Sequence, residues 1–354
     1  DLVVLPNCME YVAIALACAK AGLTMVTLNY RFTTSEHAIQ LQDCAAEILI
    51  YDAAYMESVV PAAQQVGVKY FWARGTCPQG HESLESIWQS GDSADLDTSV
   101  SEWDVFYLGY TSGTTGRPKG AMISQRNRSL AYHYWALEFG LLEKDISLHC
   151  GPFHHTAPFT FTLTQLYLGG QVVILEQFDP ELALRQIKEH RVSWMFAVPF
   201  MFERMLSLGS DQISSYNSPS LRMMISGGSA LATPTKEGIL KNFPKCELHE
   251  FYGATEAGVI TNLRPIDQAR KRRCVGRPVL DTEISIRNES GQALPVGEIG
   301  EIWLRGPTIF SGYHEAPEKN KAVFDGDWCT LGDVGRLDDE GYLYIVDQIG
   351  RAHV

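Results

Sequence analysis

The chain has 354 residues, too many for one ordinary hydrophobic core and enough for about two domains or subdomains. Its 45% hydrophobic and 20% charged residues describe a soluble globular protein and exclude a disordered one. A formal charge of -13 excludes a general nucleic-acid binder, whose footprint is basic; a polyphosphate ligand must be held by local dipoles, a few cations and metal.

The order of elements begins with an apolar strand, Leu2–Leu5. Asn7 then reads as a helix cap, with Glu10 as its reciprocal partner. The helix stops at Gly22, a residue suited to the left-handed position after a helix. Thr24–Leu28 is a strand, and Thr33 with Glu36 repeats the capping pattern before a helix to about Cys44. Glu47–Tyr51, Ala53–Val66 and Val68–Trp72 read as strand, helix and strand. Such alternation predicts parallel sheets covered by helices. Residues from about Cys77 to Ser101 read as an irregular surface segment. Val105–Tyr110, a Gly-rich loop and a helix over Gln125–Gly140 resume the pattern. Gln171–Leu175, Pro180–His190, Trp194–Val198, Leu221–Ile225 and Glu247–Glu250 continue it, and the last two strands run straight into Gly-containing loops. After about Cys274 the character changes. Glu283–Arg287, the turn Asn288–Gly291 and Gly300–Leu304 read as an antiparallel hairpin.

The fold class is therefore α/β, mostly parallel sheets flanked by helices, with a smaller β-rich subdomain. Residues 1–273 form the α/β part and 274–346 the β-rich part, while 347–354 read as a hinge stub or foreign tail. The eight cysteines are scattered without a Cys-x-x-Cys pair, which predicts reduced thiols and a cytoplasmic setting. No apolar run approaches the roughly 20 residues that span a bilayer. The chain starts at Asp1 in what already looks like a core strand, so a native N-terminus is expected upstream.

Between Tyr110 and the next helix lies Thr111-Ser-Gly-Thr-Thr-Gly-Arg-Pro-Lys-Gly120. Glycines let backbone N–H groups approach an anion, the hydroxyls of Ser112, Thr114 and Thr115 donate further, and Lys119 supplies a point charge. This is a phosphate cradle by composition, set between a strand and a helix. It is not a P-loop, which needs Gly-Lys followed by Ser or Thr; here Pro118 precedes Lys119 and Gly120 follows.

This loop is followed in order by Pro152-Phe-His-His155, Ser226-Gly-Gly-Ser-Ala230, Tyr252-Gly-Ala-Thr-Glu256, Val275-Gly-Arg-Pro278 and Gly332-Asp333. The series covers nearly the whole chain and closely resembles the acyl-activating, adenylate-forming family of AMP-dependent synthetases and ligases, most of all its acyl-CoA synthetases. The resemblance implies the large N-terminal domain of such an enzyme, an acid–thiol ligase using ATP, Mg²⁺ and CoA. Its partners would be a small carboxylic acid and CoA, with no nucleic acid. By resemblance, Thr111, Ser112, Gly113, Thr114, Thr115, Gly116 and Lys119 contact the β- and γ-phosphates. Glu256 is similar to the magnesium ligand, and Thr255 to the α-phosphate contact. Tyr252 and Gly253 would lie against adenine, with Gly227 and Gly228 as the opposite wall. Asp333 would accept hydrogen bonds from the ribose hydroxyls, and His155 would gate the carboxylate pocket.

Other readings stay open at this level. His154-His155 could be core histidines, and adjacent residues are poorly spaced to share a metal. Trp194, Phe196, Phe200, Met201, Val259 and the stretch Phe159–Gly170 could line an acyl pocket that suits a fatty or aromatic acid, or could pack the core. Arg270-Lys-Arg-Arg273 reads as a solvated loop or as a CoA phosphate contact. Three positions depart from the family pattern: Leu331 where Thr is usual, Gln348 where Arg is usual, and Gly350-Arg351 at the hinge. The family's lysine-bearing C-terminal domain is not in this sequence, so the chain alone is expected to bind ATP weakly and to be impaired in adenylation. An amino-acid adenylation domain is the alternative enzyme, but it usually places an Asp in the His-His region, and none stands there. A non-catalytic nucleotide-binding protein is the alternative from another class.

Overall fold

The apolar runs Leu2–Val4, Trp194–Ala197 and Met223–Ser226 become strands buried along their whole length. The computed structural model describes residues 1–91, 94, 96, 98–111, 118–216 and 218–348. The first sheet contains β1 (Leu2–Val4), β2 (Met25–Thr27), β3 (Ile48–Asp52), β4 (Tyr70–Arg74), β5 (Glu82–Ser83), β6 (Val105–Thr111) and β7 (Lys119–Ser124), in the order β5-β4-β3-β1-β2-β6-β7. All pairs are parallel except β6 with β7. The helices α1 (Met9–Ala21), α2 (Thr34–Cys44) and α3 (Met56–Gln65) make the crossovers, and α4 (Leu84–Ser90) follows β5.

Local signals account for most of these boundaries. Gly22 ends α1 at φ 69, and Thr33 with Glu36 forms the full reciprocal cap of α2. The cap expected at Asn7 is not formed: Cys8 occupies the cap position without a side-chain bond. Buried Asn7 instead accepts from the Phe153 N–H at 2.8 Å, a tertiary demand that outranks the local one. The segment after Cys77 also differs from expectation, since it contains β5 and α4 with Ser83 capping the helix.

The second sheet contains β8 (Ile146–His149), β9 (Gln171–Ile174), β10 (Trp194–Ala197), β11 (Met223–Ser226), β12 (Glu247–Ala254), β13 (Gly258–Leu263) and β14 (Arg277–Pro278), in the order β14-β13-β12-β11-β10-β8-β9. It is parallel from β9 to β12, and β13 and β14 are antiparallel additions at one edge. Helices α5 (Gln125–Phe139), α6 (Thr156–Tyr167), α7 (Pro180–Glu189), α8 (Pro199–Leu206), α9 (Ser210–Ser215) and α10 (Thr233–Asn242) accompany it. The third sheet is antiparallel: β15 (Glu283–Arg287), β16 (Gly300–Arg305), β17 (Phe324–Asp325), β18 (Trp328–Leu337) and β19 (Leu343–Gln348). The short helix α11 (Pro317–Val323) precedes β17.

The chain divides into two compact units. One is Asp1–Arg128 with Pro152–Thr156 and Phe310–Pro317, and the other is the remainder. In the first, Leu2, Val4, Leu49, Tyr51 and Val59 form the core beneath the sheet. In the second, Phe161, Trp194, Phe196, Phe251 and Val259 share one aromatic core, and Met195, Met201, Met205 and Ile239 another. Trp194, Phe196, Met201 and Val259 are thus packing residues, whereas Phe200 is 63% exposed. No helix among the described residues is long and apolar enough to cross a membrane.

Candidate active site

The Gly-rich loop joins two neighbouring antiparallel strands, not a strand and a helix. Thr111 ends β6 directly opposite Lys119, which opens β7, so pairing fixes both ends of the loop. Ser112, Gly113, Thr114, Thr115 and Gly116 lie outside the described residues. Gly120 is forced by space, since a Cβ there would meet Leu108 Cδ1 at 2.8 Å. A segment far along the sequence covers the other edge of β7. Met122 donates its N–H to Gly312 O (2.9 Å), Ser311 to Met122 O (2.9 Å) and His314 to Gly120 O (2.8 Å). This brings Tyr313 beside Lys119, whose Nζ lies 5.8 Å from the ring centroid, at the outer range of a cation–π contact. Sequence reasoning missed Tyr313, because nothing local marks 310–317 as a segment that bridges to β7.

The same unit carries the two histidines. Phe153 is held by Asn7, and the Thr27 hydroxyl donates to His154 O at 3.3 Å. The His154 ring stands edge-on to Tyr30 at 5.3 Å and lies 4.5 Å from His155. Burial, then the positive charges of His155 and Arg31, push the His154 pKa down to about 3. The His155 pKa is lowered by the surrounding protein and then by Arg31, although the residue is exposed. Both rings are therefore neutral near pH 7. Among the described residues no group of three or more His, Cys, Asp or Glu side chains could hold a metal ion.

The second unit assembles the remaining candidates. Ser226 ends β11, and its buried hydroxyl has no hydrogen-bond partner among the described residues. Gly227 follows in a place where a Cβ would overlap the Phe251 ring, and Gly228 has φ 87. The expected short strand at Glu247–Glu250 in fact runs on to Ala254, so Tyr252 and Gly253 are strand residues, with a bulge between them. Thr255, Glu256 and Ala257 make the turn into β13, closed by Ala254 pairing with Gly258. Thr308 Oγ1 anchors this turn by donating to Ala257 O at 2.8 Å. Glu256 is buried at 7% exposure.

The Tyr252 hydroxyl donates to the Asp333 carboxylate in a short hydrogen bond, and Asp333 is itself buried. Burial, then the Asp333 charge and after it that of Glu256, raise the Tyr252 pKa well above its ordinary value, so the phenol keeps its proton. The structure thus brings Tyr252, Glu256 and Asp333 together, with Thr255 on the same turn. These residues fit a nucleotide and a hard cation. Ser226 offers an unused donor, Asp333 an acceptor for hydroxyls, and Glu256 one carboxylate of the kind that shares Mg²⁺ with substrate phosphates.

Other expectations resolve structurally. Gly169 terminates α6 at φ 83, and Gly170 packs on the Gln165 amide, which donates to Leu142 O (3.0 Å) and Asp145 O (3.1 Å). Phe159 and Phe161 are fully buried. Arg270 pairs with Glu340 at 2.5 Å and Lys271 with Asp338 at 2.7 Å, so half of the basic cluster braces the β18–β19 turn. A separate cavity of about 650 Å³ lies at the opposite, N-terminal edge of the second sheet, lined by Lys144, Asp145, Arg191 and Arg222 among others, and includes none of the candidates.

Residues 2–314 match the family described as AMP-binding enzyme. A 2-succinylbenzoate–CoA ligase from Oceanobacillus iheyensis is 30% identical over 349 residues, 97% of this chain and 67% of that protein. A feruloyl-CoA synthase from Amycolatopsis is 30% identical over 347 residues, again 97% and 67%. Among solved structures, the inhibitor-bound N-terminal domain of FACL13 from Mycobacterium tuberculosis superposes with TM-score 0.90 at 27% identity, covering 98% of this chain and 86% of that one. The o-succinylbenzoate CoA synthetase of Bacillus subtilis, solved with ATP and magnesium, gives TM-score 0.86 at 26% identity, covering 98% and 69%. This chain belongs to the AMP-binding enzyme family. It spans about two thirds of the length of the curated relatives it matches.

Proposed function

We propose that this protein activates a carboxylic acid with ATP and transfers the acyl group to CoA. In the first half-reaction a carboxylate oxygen bonds to the α-phosphorus while the bond to the β-phosphate bridge breaks, releasing pyrophosphate. In the second, the CoA sulfur attacks the acyl carbon and AMP leaves. Neither step requires covalent participation by the protein, so its work is positioning and charge stabilisation.

The residues take these roles. Tyr252 and Gly253 lie against adenine, with Gly227 and Gly228 as the opposite wall and Ser226 as a donor. Asp333 accepts from the ribose hydroxyls. Thr255 contacts the α-phosphate, and Glu256 holds Mg²⁺, which when bound neutralises phosphate charge. Thr111, Lys119 and the loop between them take the β- and γ-phosphates. Neutral His155 borders the acid without repelling or trapping its charge. The observation that carries this reading is the Tyr252–Asp333 hydrogen bond with buried Glu256 alongside, because it sets a ring, a hydrogen-bond acceptor and a second buried carboxylate in one place.

The acid is fatty or aromatic. Supporting this, two relatives are a 2-succinylbenzoate–CoA ligase and a feruloyl-CoA synthase, another is a long-chain fatty-acid–CoA ligase, and no Asp stands in Pro152–Ala157 to pair with an ammonium group. Pyrophosphate exchange on the full-length protein with aliphatic, aryl and amino acids tests the assignment. Exchange supported by aryl or aliphatic acids is the expected result; a response to amino acids alone would overturn it.

A further inference from the structure

Asp333 pairs with Gln348 of β19, but on its β16 side it is not delivered by regular strand pairing. Along β16 and β18, Glu301 faces Val334 and Trp303 faces Thr330, so Leu331, Gly332 and Asp333 together oppose the single residue Ile302. Such a bulge breaks the ladder and re-aims the side chains it contains. Gly332 takes φ 80, and a Cβ there would meet nothing within 4 Å among the described residues, so backbone conformation demands the glycine.

The amide released by the bulge is caught by a neighbouring side chain. Buried Thr330 accepts the Gly332 N–H at 3.1 Å, and its hydroxyl donates to Glu301 Oε1 at 2.8 Å. The other Glu301 oxygen accepts from Trp303 Nε1 at 3.1 Å. The Trp303 ring is capped by the Arg287 guanidinium at 4.7 Å, and Arg287 pairs with Asp325 at 2.7 Å. Leu331 packs against the apolar cluster of Ile286, Ile302, Leu304 and Leu343. The bulge is thus tied on one side by a polar chain and on the other by burial. The hydroxyl that the family pattern has directly before Gly-Asp is found here one residue earlier, at Thr330.

We propose that Thr330 and Glu301 are positioning residues that hold the Leu331–Asp333 bulge in one conformation and so fix the Asp333 carboxylate for the ribose hydroxyls. This rests on the ribose role proposed above for Asp333. A hydroxyl–carboxylate bond in a buried site holds direction as well as distance, so its loss lets the bulge relax and spoils a geometry that only the ribose reads.

The test is calorimetric titration of the full-length protein with ATP and with 2′,3′-dideoxy-ATP, comparing wild type with Thr330→Val, Thr330→Ser, Glu301→Gln and Asp333→Asn. Thr330→Val should weaken ATP binding about tenfold while leaving dideoxy-ATP binding unchanged, so that the preference for ATP narrows by that factor. Thr330→Ser should restore it. Glu301→Gln, which can accept from only one of its two donors, should narrow it about threefold, and it keeps the test open if Thr330→Val does not fold. If Asp333→Asn abolishes the preference while Thr330→Val and Glu301→Gln preserve it, the positioning role is wrong and the ribose reading stands. If Asp333→Asn itself preserves the preference, the ribose reading fails and the positioning role falls with it.

Discussion

Tyr252 on β12 and Asp333 on β18 share one short hydrogen bond, with the phenol as donor, and so link the second sheet to the third at two residues more than eighty positions apart in sequence. The bond keeps the tyrosine ring in a fixed plane. Tyr252→Phe should therefore keep the ring but remove the phenol donor from the carboxylate. Leaving a buried acceptor without its donor costs about 1–3 kcal/mol, read by urea unfolding, and ATP affinity should fall by about tenfold. Unchanged ATP affinity in Tyr252→Phe would contradict the arrangement.

Lys119 lies near the Tyr313 ring and on a strand that the 311–314 segment braces. A cation–π contact at this distance is worth about 0.5–1 kcal/mol, a factor of roughly two to five in binding. Tyr313→Leu should weaken ATP binding by that factor, and Tyr313→Phe should not. Equal losses in both variants would assign the effect to the hydroxyl instead of the ring.

His154 has its pKa pushed down to about 3 by burial and by its charged neighbours, against a usual value near 6.5. A histidine depressed in the folded state binds fewer protons there than when unfolded. It supports the fold fully above about pH 6.5 and loses that contribution as pH falls toward 3. The His154 ring should thus stay neutral from pH 8 to pH 5 in a two-dimensional NMR titration. A midpoint near 6.5 would contradict its burial.

Gly276 is part of the Val275–Pro278 motif, and the structure explains it by packing and by backbone conformation together. It has φ 96, a Cβ there would collide with the backbone at Asn262–Leu263, and its carbonyl accepts from Leu343 N–H at 2.8 Å. Backbone cannot swing aside as a side chain can. Gly276→Ala should cost about 3 kcal/mol or more by combined overpacking and left-handed strain, measured by denaturant unfolding. A loss under about 0.5 kcal/mol, typical of neutral surface changes, would contradict this account.

These cases show why some features were legible and others were not. The capping box at Thr33 and Glu36 and the stop at Gly22 depend on residues a few positions apart, and both formed as read. Asn7 carried an equally good local signal, but its side chain serves Phe153, 146 positions away. Strand β7 escaped notice because it is hidden between a Gly-rich loop and a helix, and its second edge is covered by residues near 312. Tyr252 and Asp333 could be named from motif order, yet their mutual bond could not. Trp194, Phe196 and Val259 share apolar character with pocket residues, and only packing assigns them to the core.

The central claim is that Glu256 and the residues around it hold ATP and its metal for attack by a carboxylic acid. Its most direct test is acid-dependent pyrophosphate exchange in the full-length protein, compared with Glu256→Gln at equal folded concentration. The account predicts exchange that requires both Mg²⁺ and a fatty or aromatic acid, and that falls by about 10²–10³-fold in the variant, as expected for losing one group that stabilises transition-state charge. Exchange at the wild-type rate in Glu256→Gln, or no exchange with any carboxylic acid in the wild type, would contradict it.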